Sequence, residues 1–214
     1  MLNSVQRIIP TILATSQKEF EDRLKSVENL VDLVHLDIAD GRFVPSVTWP
    51  NSEAVGGYPW VCQFALHLMI EKPEDILPDW INARPAQIIV QLESTERLVW
   101  VVNNLRDNGI EAGVALRLET PLESVRPFLE EVDMVLLLAG QPGFNGAAFD
   151  PKIIDRVTAL RQMWPSGKIG VDIGMHEATL PQVAKAGASV FMVGSEIAQA
   201  ADVAKKIQEL EALI

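Results

Sequence analysis

His35 and Asp37 stand one residue apart in the apolar run Leu33-Val34-His35-Leu36-Asp37-Ile38. If that run is a β-strand, side chains two apart share a face, so an imidazole and a carboxylate project together. That pair is half of a metal site. Two further apolar runs offer completions: Phe64-Ala65-Leu66-His67-Leu68-Met69-Ile70 carries a second histidine, and Ile169-Gly170-Val171-Asp172-Ile173-Gly174 a second aspartate. His35, Asp37, His67 and Asp172 together form a mixed nitrogen and oxygen set suited to one divalent transition ion, and zinc, iron, manganese and cobalt all accept it. A lone His or Asp in an apolar strand is more often a satisfied structural residue. The four acquire meaning only if the fold unites them.

The elements that must do so alternate along the chain. Short apolar runs separated by longer amphipathic stretches are the pattern of repeated β-α units around a parallel sheet. Strands are predicted at 8–13, 33–38, 62–69, 87–92, 111–116, 134–138, 168–172 and 190–193, and helices at 17–30, 95–108, 121–130, 151–163, 178–186 and 195–212. Gly109 and Gly187 suit helix ends, and Pro121 and Pro151 suit first turns. The stretch 41–58, rich in Pro, Gly, Ser, Trp and Asn, reads as a long β-α connection with at most a short helix. In a barrel it would lie on the C-terminal face, where active sites are built, and Trp49 within it could form a lid. A doubly wound open sheet is the structural competitor. Closing the sheet brings the ends of well-separated strands around one mouth, which favours the barrel.

The 214 residues fit one such domain, spanning 1–214, and a hydrophobic content of 48% with 22% charged residues is ordinary for a globular chain. The net charge of -11 opposes nucleic-acid and anionic-membrane binding, yet oriented backbone amides can still hold a small phosphate. A single cysteine, Cys62, forms no internal disulfide, and residues 1–7 lack the pattern of a secretion signal. A cytoplasmic protein is the expectation.

Five segments, taken in order, resemble the motifs of ribulose-phosphate 3-epimerases: Ile9-Pro10-Thr11-Ile12-Leu13, the run from His35-Leu36-Asp37 through Asp40-Gly41-Arg42-Phe43-Val44-Pro45, His67-Leu68-Met69-Ile70, Pro142-Gly143-Phe144-Asn145-Gly146, and Val193-Gly194-Ser195. The resemblance covers essentially the whole chain. It implies an α/β fold, a (β/α)8 TIM barrel of the ribulose-phosphate-binding type, with one divalent metal ion and a small phosphorylated sugar as ligand. His35, Asp37, His67 and Asp172 correspond to the family's metal ligands. Asp37 and Asp172 also correspond to its acid/base pair, which moves a proton at C3 of ribulose 5-phosphate or xylulose 5-phosphate through an enediolate. Thr11 and His67 fall at substrate-contacting positions. Gly143, Asn145, Gly146, Gly174, Gly194 and Ser195 lie on late loops where turn amides would bind phosphate. Similar proteins are homo-oligomers, so the same is expected here.

The chain also departs from that pattern. It has Thr11 for Ser, Ala39 for Met, Arg42 for His, Ser46 for Asn, Gln91 for His, Leu138 for Met, Gln141 for Asn, Ala147 for Gln, and Ile173 for the first glycine of an Asp-Gly-Gly turn. Ala39 predicts a wider or wetter pocket. An isoleucine adopts positive φ with difficulty, so Ile173 predicts a reoriented or lost phosphate-binding amide. These differences keep two other readings in view: an epimerase for a ketohexose 6-phosphate such as allulose 6-phosphate, and a catalytically weakened barrel acting as sensor or scaffold. Among the bland readings, Asp40 suits an Asx turn, Ser195 an N-cap, and Arg42 a solvated position.

Overall fold

The computed structural model describes residues 6–49, 51–144 and 146–214. Eight strands close a parallel barrel in sequence order: β1 (Arg7–Ile12), β2 (Leu33–Ala39), β3 (Gln63–Met69), β4 (Gln87–Gln91), β5 (Glu111–Leu116), β6 (Met134–Leu138), β7 (Lys168–Asp172) and β8 (Val190–Val193). β8 closes on β1 through the pairs Arg7 with Val190 and Ile9 with Met192. The open-sheet alternative is thereby excluded.

Strand alternation divides the core into two layers. Outward-facing Val34, Leu36, Leu66, Leu68, Ile88 and Val90 pack under the helices, with Phe20, Leu24, Leu98, Val101, Ile153 and Val157 on the helical side. Inward-facing Ile9, Ile89, Ala115, Leu136, Val190 and Met192 fill the bore. Strands apolar on both faces are what a covered parallel sheet requires. The bore is tight: a Cβ at Gly113 would sit 2.7 Å from Cγ1 of Ile89, so only glycine fits there.

The helices are α1 (Gln17–Val27), α2 (Ser52–Gly56), α3 (Leu77–Asn82), α4 (Leu98–Asp107), α5 (Lys152–Met163), α6 (Leu180–Ala186), α7 (Ser195–Ala198) and α8 (Val203–Glu211). In α1, Phe20, Leu24 and Val27 repeat at helical spacing and are buried, while Ser16 caps the N-terminus by accepting from the Glu19 amide. No described helix is long and apolar enough to cross a membrane.

Two expected helices are not continuous. The stretch 121–130 forms only two short 3₁₀ turns, Leu122–Ser124 and Arg126–Phe128. Pro127 lacks the N–H an α-helix needs there, and its ring crowds the preceding turn. The stretch 195–212 splits into α7 and α8, because Asp202 leaves helical geometry and caps α8 by accepting from the Lys205 amide. Helix α3 was not foreseen at all.

The long connection folds back on β2. The Thr48 amide donates to the Ala39 carbonyl at 3.1 Å, and the Ala39 amide donates to the Thr48 hydroxyl at 3.0 Å. Asp40 forms the expected turn, accepting from the Arg42 and Phe43 amides, and it also accepts from the Glu71 amide after β3. Trp49 is no lid: its ring lies 5.7 Å from that of Phe20 on α1. Arg42 is exposed, as a solvated residue would be.

Candidate metal centre and active site

β2 carries three residues into the mouth of the bore: His35, Asp37 and Ala39. Register places Asp37 opposite His67 on β3, so those two side chains share a level. Asp172 ends β7 across the barrel. The strands are not all well separated, as the sequence suggested; β2 and β3 are neighbours, and only β7 comes from the far wall.

One atom from each of His35, Asp37, His67 and Asp172 lies within 4.8 Å of the others. Asp37 Oδ1 sits 3.0 Å from His67 Nδ1 and 3.3 Å from His35 Nε2. Both rings are fully buried, 5.6 Å apart. Among the described residues neither nitrogen of His35 makes a well-aligned hydrogen bond, the 3.3 Å approach to Asp37 included. Buried polar groups are ordinarily satisfied, so an imidazole without such a bond, facing two carboxylates, suits the binding of a cation. The four residues fit a divalent transition ion.

The charges in this cluster are set against one another. Burial alone would raise the Asp37 carboxyl, but His35 and His67 beside it hold it well below the usual aspartate range. Burial pushes Asp172 up to about 6, and the Asp37 charge adds to the effect. Burial disfavours a charge on His35, yet Asp37 and Asp172 outweigh that and raise its proton affinity. One carboxylate is thus firmly ionised, while the other holds its proton up to about pH 6.

Above the cluster is a cavity of about 60 Å³ that Asp37 and Asp172 both line. It also gathers Thr11, Gly143, Gly146, Gly174, Gly194 and Ser195, so most of the expected substrate positions converge on one opening. Asn145 falls outside the described residues. His67 is the exception: it lies beneath the cavity, held between Asp37 and Gln91, and does not line it. Ser195 is no N-cap, since Gly194 takes that position in α7 and no side chain caps it.

Two of the departures meet different outcomes. Ile173 does adopt the turn, at φ +77°, followed by Gly174 at φ +68°. Its N–H donates to Asp172 Oδ1 at 2.7 Å, so this amide is turned to the carboxylate, as a reoriented amide would be, and its side chain packs on both core layers. Gly140 packs closely beside it, since a Cβ there would lie 2.4 Å from the Ala148 carbonyl oxygen and 3.0 Å from Ile173 Cγ2. Ala39 does not leave a wide pocket. It is buried against Val44 and Met69, which take up the space. The Ser46 hydroxyl donates to the Gly143 carbonyl, tying the long connection to the glycine-rich loop.

Two other lining residues escaped the sequence reading. Met192 could have been found from alternation, since it is the inward residue of β8 one step below Gly194. Met175 comes from the loop after β7, where no periodicity points to it.

Residues 7–198 match the profile of the ribulose-phosphate 3-epimerase family. The chain belongs to this family. It is 33% identical over 212 residues to the ribulose-phosphate 3-epimerase of Mycobacterium tuberculosis, covering 95% of this chain and 90% of the relative. It is 34% identical over 214 residues to the chloroplastic ribulose-5-phosphate-3-epimerase of Arabidopsis thaliana, covering 96% and 76%. Membership places the chain among the epimerases, within the isomerases. The fold extends further than the family: the crystal structure of 3-hexulose-6-phosphate synthase from Salmonella typhimurium superposes with a TM-score of 0.73 at 16% identity, over 97% of both chains.

Proposed function

We propose that this protein epimerises C3 of a ketose phosphate, D-ribulose 5-phosphate and D-xylulose 5-phosphate, with Asp37 and Asp172 as the two proton-transfer groups. The observation that carries this reading is the pair itself: two carboxyls lining one cavity from opposite walls, with proton affinities driven apart. Inversion at carbon needs a base on one face and an acid on the other, and environments that separate two titrating groups in this way assign those roles.

In the forward direction the ionised Asp37 removes the C3 proton, leaving the electron pair delocalised into the carbonyl as an enediolate. Asp172, protonated, returns a proton to the opposite face. The roles exchange for the reverse reaction. A divalent ion held by His35, Asp37, His67 and Asp172 would supply electrostatic stabilisation of the negative charge that develops on substrate oxygen. The buried walls around the cluster exclude water and keep those interactions strong.

The amides around Gly143, Gly146, Gly174, Gly194 and Ser195 are the proposed phosphate cradle, suited to an acidic protein because it needs no lysine. Thr11 contributes a buried hydroxyl that has no partner within the protein. Val44 and Met69 pack against Ala39, so the alanine does not by itself open room for a six-carbon substrate. One ketose-phosphate molecule per homo-oligomeric subunit completes the proposal.

Incubation of the metal-loaded protein with D-ribulose 5-phosphate in deuterium oxide tests it. Xylulose 5-phosphate carrying deuterium at C3 is the expected product. Absence of both product and exchange would refute the proposal.

A further inference from the structure

Gln91 ends β4 and is fully buried, two residues past the Ile89 that pairs with His67. Its Nε2 lies 2.7 Å from His67 Nε2, while His67 Nδ1 lies 3.0 Å from Asp37 Oδ1. Both ring nitrogens are therefore engaged. A carboxylate oxygen only accepts, so Nδ1 carries the hydrogen toward Asp37, and Nε2 must then accept from the Gln91 amide. This leaves Gln91 Oε1 buried without a partner.

An amide oxygen in the same place would serve the other tautomer of the ring. An ion bound at Nδ1 requires the ring hydrogen on Nε2, where it must meet an acceptor. Half a turn of the Gln91 amide exchanges Nε2 for Oε1 at nearly the same place. The orphaned oxygen becomes that acceptor.

We propose that Gln91 is a positioning residue with two settings, its amide turning as His67 changes tautomer, so that the Oε1 setting stabilises His67 in its ion-binding form. An amide is well chosen for this. A carboxylate would add charge to a cluster that already holds two, and an imidazole would bring a further titrating group. The inference rests on the metal-binding reading above. It goes beyond the four ligands, since Gln91 acts on the ion only through His67, as outer partners of ligating histidines commonly do.

Zinc affinity, read by chelator competition, tests this in the wild-type protein, Gln91→Leu and Gln91→Glu. Gln91→Leu is expected to bind zinc about 10- to 100-fold more weakly. Gln91→Glu, which keeps an acceptor toward Nε2, is expected to retain wild-type affinity or better. A purely structural role would lower the melting temperature of the metal-free protein without changing zinc affinity. Nitrogen-15 spectra of histidine-labelled wild-type protein give a second readout that needs no variant. His67 Nε2 is expected to be bare before zinc and protonated after it. Unchanged affinity in Gln91→Leu, or a bare Nε2 in the zinc-loaded wild type, overturns the inference alone. A wild-type protein that binds no zinc overturns the metal reading with it.

Discussion

The backbone N–H of Ile173 donates to Oδ1 of Asp172 at 2.7 Å while Ile173 itself holds a φ of +77°. A β-branched residue in the left-handed region is strained by about 1–3 kcal/mol. The strain is tolerated because the side chain packs on both core layers and the turn presents Asp172 to the cavity.

This gives an inverted ranking of substitutions. Ile173→Ala loses the packing and keeps most of the strain, whereas Ile173→Gly loses the packing and relieves it. Ile173→Gly is expected to be the more stable of the two by about 1 kcal/mol, the reverse of the usual alanine advantage. Urea unfolding of the two variants measures the difference. An Ile173→Ala protein at least as stable as Ile173→Gly would show that the left-handed turn costs nothing.

Asp37 and Asp172 are each expected to be indispensable for inversion. Asp37→Asn and Asp172→Asn preserve shape and remove the proton-transfer group, so epimerisation should fall by about 10²- to 10⁴-fold in each. Metal content measured beside turnover separates lost chemistry from lost ion. An Asp172→Asn protein that keeps its ion and full turnover would remove Asp172 from the proton transfers.

The pH dependence of ion binding follows from the same cluster. Asp172 is raised to about 6 from an ordinary value of 3.8, and His35 is raised as well, so both carry protons that an ion must displace. Affinity for a divalent ion is expected to fall as pH drops, first where His35 gains its proton, above its ordinary 6.5, and further through about 6 where Asp172 does, with protons released on binding. For the metal-free fold the signs oppose. Asp172 binds its proton more tightly in the folded state, so its contribution is fully present below 3.8 and is lost as pH rises through about 6. Asp37 is lowered, so its contribution is present above 3.8 and is lost as pH falls toward its depressed folded value. Calorimetric titration at pH 5, 6, 7 and 8 checks the ion-binding half.

The parts of this architecture legible in the sequence are those set by local patterning. Continuous apolar runs marked every barrel strand to within a residue or so, and the one-residue spacing of His35 and Asp37 placed them on one face. What escaped depends on contacts distant in sequence. Pro127 breaks a stretch whose apolar spacing otherwise reads as a helix, and Asp202 starts a new helix inside an unbroken amphipathic pattern. The left-handed residue Ile173 is held by packing on both core layers, and the packing around Ala39 depends on Val44 returning from the long connection. Gln91 shows the same limit, for only the barrel brings its amide to His67.

Ala39 provides the last test, because its neighbours show why a larger residue is excluded. It lies buried against Val44 and Met69, with Phe43 packed on the same cluster. Ala39→Met inserts a long side chain into filled space and is expected to destabilise the protein by about 1–3 kcal/mol. Val44→Ala should cost stability by itself by leaving a small void. If the two residues share one volume, the double variant Ala39→Met with Val44→Ala should recover part of the loss, with a coupling of about 0.5–3 kcal/mol in a double-mutant cycle. Denaturant unfolding of the three variants and the wild type yields that coupling. Simple additivity would mean that Val44 does not occupy the space beside Ala39, and the pocket would then be open where the structure closes it.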